Sequence, residues 1–116
     1  MAVTPKVFNS GTQLTTSAAA YWTSTNIKSI VDYAKALNVT AGPITVTAHR
    51  VPSGGSASNS NMIMKAVSIE AGQTYHCPEI VGATLESGDS IQLLASANTS
   101  VSIQMGGRTF NMPTGS

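Results

Sequence analysis

Apolar and polar residues alternate with a period of two along most of the chain, and short turn-forming clusters break the alternation at close intervals. Period two puts successive side chains on opposite faces of a strand. The clearest segment is 43–51, with Ile44, Val46 and Ala48 on one face and Thr45, Thr47 and His49 on the other. Segment 62–69 groups Ile63, Val67 and Ile69 with Lys65. Segment 90–97 alternates Ile91, Leu93 and Ala95 with Gln92, Leu94 and Ser96, and segment 100–105 alternates Val101, Ile103 and Met105 with Ser102 and Gln104. The Ala97-Asn98-Thr99 turn between these two predicts a hairpin. Shorter strands are expected around Lys6-Val7-Phe8, Gln13-Leu14-Thr15, Ala20-Tyr21-Trp22 and Gln73-Thr74-Tyr75.

Segment 27–40 fits two periods. Ile27, Val31, Tyr33, Leu37 and Val39 share a face at period two, whereas Ile27, Ile30, Val31, Ala34 and Leu37 form a helical stripe. The Asn38-Val39-Thr40 ending suits a helix poorly and the neighbours are strands, so we read it as a long strand carrying a bend or bulge. Turn signals stand at Asn9-Ser10-Gly11, Ala41-Gly42-Pro43, Pro52-Ser53-Gly54-Gly55, Ala71-Gly72, Ser87-Gly88-Asp89, Ala97-Asn98-Thr99 and Gly106-Gly107. The Ser/Gly/Asn-rich stretch 52–61 reads as an excursion between two strands. The fold class expected from this spacing is all-β: a single antiparallel β-sandwich, jelly-roll-like, with about seven or eight strands. The whole chain, 1–116, forms one domain on this reading.

Composition changes the picture at the surface. Charged residues are only 9% of the chain, and 15 Ser and 14 Thr take their place. Neutral hydroxyls cost less to desolvate than charges, so such a surface suits contact with a neighbour. Apolar residues on both faces of several segments, as in Leu93-Leu94 and Met62-Ile63-Met64, point to a homo-oligomer. The net charge is +1 and the six basic residues are scattered, so nucleic acid is not an expected partner. No apolar run has the length of a membrane helix, and the N-terminus lacks the apolar segment of a signal peptide, so folding in the cytoplasm is expected. The single cysteine, Cys77, excludes an internal disulfide.

Candidate chemistry is sparse. His49 and His76 show no metal-ligand spacing, and His76-Cys77 would point to opposite faces of a strand. The ordinary reading is an exposed or interface histidine and a buried cysteine acting as a small apolar residue. Glu70, Glu86 and Asp89 sit beside glycine and read as solvated turn residues. There is no nucleophile-elbow or phosphate-loop pattern, so no catalytic, cofactor or metal site is expected, and the protein reads as a non-enzyme. Trp22, with Tyr21, reads either as a core or interface aromatic or as a platform for stacking sugar.

The stretch 39–105 resembles a group of small structural proteins of tailed bacteriophages. The resemblance rests on Val39-Thr40-Ala41, Val51-Pro52-Ser53-Gly54-Gly55-Ser56-Ala57, Ile69-Glu70-Ala71-Gly72-Gln73-Thr74-Tyr75, Leu85-Glu86-Ser87-Gly88-Asp89-Ser90-Ile91 and Ala95-Ser96-Ala97. In that group the last strand is expected to end soon after such a turn, and Gly106-Gly107-Arg108-Thr109-Phe110-Asn111-Met112-Pro113 departs from this pattern. The resemblance implies a virion component present in many copies and assembled in the host cytoplasm. It is most naturally a trimeric decoration (cement) protein on the major capsid protein lattice, with a tail or head–tail junction role as the alternative. A carbohydrate-binding module of a receptor-binding fibre is the reading from a different class. Segment 1–16 is either the first strands of the sandwich or an extended arm. On the arm reading, Val3, Val7, Phe8 and Leu14 are the contact residues.

Overall fold

The computed structural model describes residues 2–111; Met1 and residues 112–116, including Met112 and Pro113, lie outside the described residues. The described chain is built of nine strands: β1 (Ala2–Gln13), β2 (Ala19–Thr23), β3 (Lys28–Asn38), β4 (Ile44–Val51), β5 (Met62–Ile69), β6 (Thr74–Tyr75), β7 (Thr84–Leu85), β8 (Ser90–Ala95) and β9 (Val101–Asn111). They form two antiparallel sheets. One has the order β1-β9-β3-β6, with β7 also pairing β3, and the other has the order β2-β8-β4-β5. The first strand pairs with the last, β2 with β8, β3 with β6 and β7, and β4 with β5. The chain is thus one long antiparallel ribbon folded back on itself, whose successive rungs alternate between the two sheets.

The inward faces of β4, β8 and β9 are those that the alternation marks. In segment 27–40 the expected face of Ile27, Val31, Tyr33, Leu37 and Val39 is buried only at Val31, because the alternation changes phase after it and leaves Tyr33, Leu37 and Val39 exposed. Val46, Ala48, Ile91, Leu93 and Ala95 from one sheet meet Val31, Ala34, Ala36, Val101, Ile103 and Met105 from the other. Each is at most 1% exposed. Burying such side chains supplies the main driving force for closing the two layers, at about 25 cal/mol per Å² of apolar surface. Segment 27–40 is a strand, as expected, and it carries a bulge. Val31 pairs with Gly107 and Tyr33 with Gly106, which leaves Asp32 as the extra residue. The bulge is why Val31 and Ala34, three residues apart, both face the core.

Four local expectations need correction. Gly106-Gly107 is not a turn, because β9 runs straight through it. A Cβ on Gly107 would lie 2.0 Å from the carbonyl oxygen of Ile30, and one on Gly106 would lie 2.4 Å from the ring of Tyr33. The glycines therefore serve close approach beneath the β3 bulge. Asn9-Ser10-Gly11 likewise lies inside a continuous β1. The Asn9 side chain accepts from the Gly11 N–H and the Thr12 hydroxyl across a second irregularity, and Gly11 takes φ 138°. In β5, Ala66 adopts φ 44° and donates its N–H to Thr47 Oγ1 at 3.0 Å. The alternation changes phase there, so Met64 and Ile69 are buried in the core, while Ile63 and Val67 are only half-buried against it.

The fourth correction concerns the expected hairpin of β8 and β9. These strands belong to different sheets, and residues 96–100 arch between them. Alternation cannot separate the two arrangements, because both strands bury their odd-numbered residues in either case. The arch is fixed by Ser100 Oγ donating to the Ala97 carbonyl and by Thr16 N–H donating to Asn98 Oδ1.

The two glycines under the bulge make a sharp test. Gly107→Ala is expected to cost roughly 2–4 kcal/mol, because its clash is with backbone that cannot retreat. Gly106→Ala should cost distinctly less, since the half-exposed Tyr33 ring can swing away. Chemical denaturation of the two variants checks this ordering, and equal losses would contradict it.

Candidate functional site

The flank of the sandwich between β1 and β2 holds a cleft of about 590 Å³. The edge strands belong to different sheets and do not pair, so a gap remains where the layers part. Thr4, Pro5 and Lys6 of β1, Trp22 and Thr23 of β2, Thr25 and Ile27 of the following turn, and Thr109 of β9 line it. Trp22 is placed there by a register irregularity in β2 at Tyr21, between Ala20 and Trp22.

Trp22 is held on two sides. Phe8 stacks on its ring, with centroids 4.1 Å apart and planes 5° from parallel. The indole N–H donates to Ser29 Oγ at 3.1 Å, that hydroxyl donates to Ser24 Oγ at 2.8 Å, and Ser24 donates to the Ile27 carbonyl at 2.6 Å. Ser24 and Ser29 are fully buried. A buried hydroxyl chain that ends on a carbonyl leaves no donor unsatisfied and restricts the ring to one orientation.

The four residues proposed for an N-terminal arm divide between two environments. Phe8 and Leu14 are buried in the core, whereas Val3 and Val7 are exposed at 49% and 59%. Residues 2–13 are paired along β9, so this segment is the first strand of the sandwich and not a free arm; residue 1 lies outside the described residues. Val7 and Tyr33 face each other across Gly106 in the outer layer, where Val7 and Tyr33 help line a shallower depression of about 350 Å³. Arg108 grips Asp32 beside them with two contacts of 2.9 Å. Tyr33 was not legible as a surface residue, because only the bulge turns it outward.

The polar candidates lie apart. His49 is buried at 4% exposure, not at the surface as expected, and its Nδ1 has no partner among the described residues. His76 is exposed. Cys77 lies outside any strand, in a left-handed conformation with φ 45°, and is fully buried. Asp89 is also not a solvated turn acid. It is 6% exposed, and its carboxylate accepts from the Ser53 and Glu86 N–H groups and from Arg50. It ties the start of the 52–61 excursion to the turn before β8, and Gly88 leaves room for the Ser53 side chain. Glu86 pairs with Lys28, and Glu79 accepts from the Tyr75 hydroxyl. Among the described residues no three His, Cys, Asp or Glu side chains converge in a way that could hold a metal ion.

Comparison with protein-family profiles, with curated proteins and with solved structures finds no match.

Burial pushes the Cys77 thiol up to about 12, with a smaller push from Glu79. Desolvation first, and then the hydrogen bond to Glu79, push the Tyr75 hydroxyl up to about 12. Both groups hold their protons more tightly in the folded state. Their contribution to stability is therefore complete below the ordinary thiol value near 9 and is lost as pH rises from there toward 12. Denaturation midpoints are expected to fall from pH 9 upward, and Cys77→Ala should flatten the first part of that fall. Cys77 should also resist alkylation at pH 8 in the native protein and react once denaturant is added.

Proposed function

We propose that the protein is a structural component of a tailed-phage virion, working as a decoration protein that attaches to the capsid lattice. The observation that carries this reading is the outer face of the β1-β9-β3 layer. Exposed Val3 and Val7 on β1 lie across β9 from β3, whose Tyr33 and Leu37 are also exposed. An apolar row on the outside of a sheet whose other face already lines the core is a second surface to cover. The chain as a whole is hydroxyl-rich and charge-poor, which lowers the desolvation cost of contact. The charges beside these apolar residues include Arg108 and Asp32, already paired with each other, and Lys35 over the Tyr33 ring.

Two further features support the reading. The two antiparallel sheets, β1-β9-β3-β6 and β2-β8-β4-β5, pack as a sandwich, and reading their wrapping as jelly-roll-like would match an architecture common in viral capsid domains. Fold analogy of this kind raises the prior and identifies no partner. Edge pairing is also disfavoured along β1, where Pro5 lacks an N–H, Lys6 carries charge and two register shifts interrupt the strand. A partner is thus directed to the face of the sheet, and a trimer around a capsid symmetry axis would multiply weak contacts by avidity.

The test is attachment. Purified protein should bind capsids that lack it, at hundreds of copies per particle on the order expected of a lattice component. Val7→Lys combined with Tyr33→Ser should weaken that binding at least about tenfold, a loss of about 1.4 kcal/mol, with an unchanged melting temperature. A dozen copies per particle would favour a tail or junction ring, and unaltered attachment of the double variant would remove the outer face from the proposal.

A further inference from the structure

The cleft on the β1–β2 flank adjoins the depression on the outer sheet face, with which it shares Pro5 and Lys6, but it has its own chemistry. We propose that it is a saccharide-binding site whose ligand is an acidic, uronate-bearing oligosaccharide, with Trp22 as the stacking platform. One ring face of Trp22 is covered by Phe8 and its N–H is engaged by Ser29, yet the residue still lines the cleft. A ligand in the cleft would meet the part of the half-buried ring that lines it. The face of an indole is electron-rich, and the axial C–H bonds of a pyranose carry partial positive charge, so the two attract while burying apolar area. The anchoring of the ring means that little rotamer entropy is lost on binding.

The rim matches the rest of a sugar. Thr4, Thr23 and Thr25 surround the platform, and among the described residues their hydroxyls make no hydrogen bond within the chain. They are available as both donors and acceptors, which is what vicinal sugar hydroxyls require. Lys6 is the one charged residue in the lining, and among the described residues it takes part in no ion pair. Among the described residues no carboxylate lines the cleft, so an anionic group on the ligand meets the charge of Lys6 there. Nucleic acid fits less well, since one cation cannot track a phosphate backbone. A peptide strand added to β1 would lose its central backbone hydrogen bond at Pro5.

The chain has a single tryptophan, so its emission reports on this cleft alone. Trigalacturonate and trimannuronate, titrated into the full-length protein, should shift Trp22 emission saturably, with a Kd of roughly 0.1–1 mM, in the range expected for a shallow site. Maltotriose, a neutral trisaccharide, should bind at least about fivefold more weakly, and 0.5 M salt should weaken the uronates by a similar factor. Lys6→Ala and Thr25→Ala alter exposed rim residues and should leave the melting temperature unchanged. The first should abolish the preference for uronates, and the second should weaken both sugar classes. Emission that stays flat to about 20 mM of either uronate, or uronate binding that is the same in Lys6→Ala as in the natural protein, would overturn the proposal. The capsid reading stands or falls separately, because its variants, at Val7 and Tyr33, do not line this cleft.

Discussion

The passage of β9 beneath the β3 bulge is the constraint on which the rest of the structure depends. β9 is the central strand of its sheet, with β1 on one side and β3 on the other along nearly its whole length. At Gly107 the β3 backbone comes so close that only a residue without a Cβ fits. This contact sets the register of both neighbours. It also forces Asp32 out of the ladder, where Arg108 takes it in a two-point grip. From that point the alternation of β3 changes phase. Val31 serves the core before the bulge and Ala34 after it, while Tyr33 is turned to the outer face.

Buried polar side chains then hold the ends of the ribbon in place. Asn38 is fully buried and uses both ends of its amide. It donates to the Gly42 and Ile69 carbonyls and accepts from the Thr40 N–H and hydroxyl. Asp89 does the same work at the other end of the four-stranded layer, and the Ser24–Ser29 pair does it beside Trp22. Each group is satisfied within the chain, so each specifies one arrangement of its loop in place of many. His49, whose Nδ1 has no partner among the described residues, is the exception.

The two candidate surfaces arise from the same architecture by different routes. The outer face of the β1-β9-β3 layer is apolar because the bulge and the pair of glycines expose Tyr33 opposite Val7. The flank cleft exists because a rolled ribbon ends in edge strands that belong to separate sheets. The Phe8–Trp22 stack bridges only part of the gap between them. One surface is a set of exposed apolar side chains on a sheet face. The other is narrow, hydroxylated and carries one cation.

The sequence by itself determined that the chain is all-β, where most strands lie, and which residues of β4, β8 and β9 line the core. Those properties follow from a period-two pattern, which is local and survives any arrangement of the strands. It also carried the bulge in segment 27–40, through a strand too long to stay regular. It did not determine which strands share a sheet. Residues 97–99 read as a hairpin turn whether the next strand lies beside β8 or across the core from it. Nor did it separate glycines that turn the chain from glycines that let two backbones touch, because that difference depends on residues seventy positions away. Tyr33 and the Trp22 cleft were hidden for the same reason. Whether a side chain faces core, neighbour or solvent at a bulge or a sheet edge is decided by what packs against it, and only the tertiary structure brings those partners together.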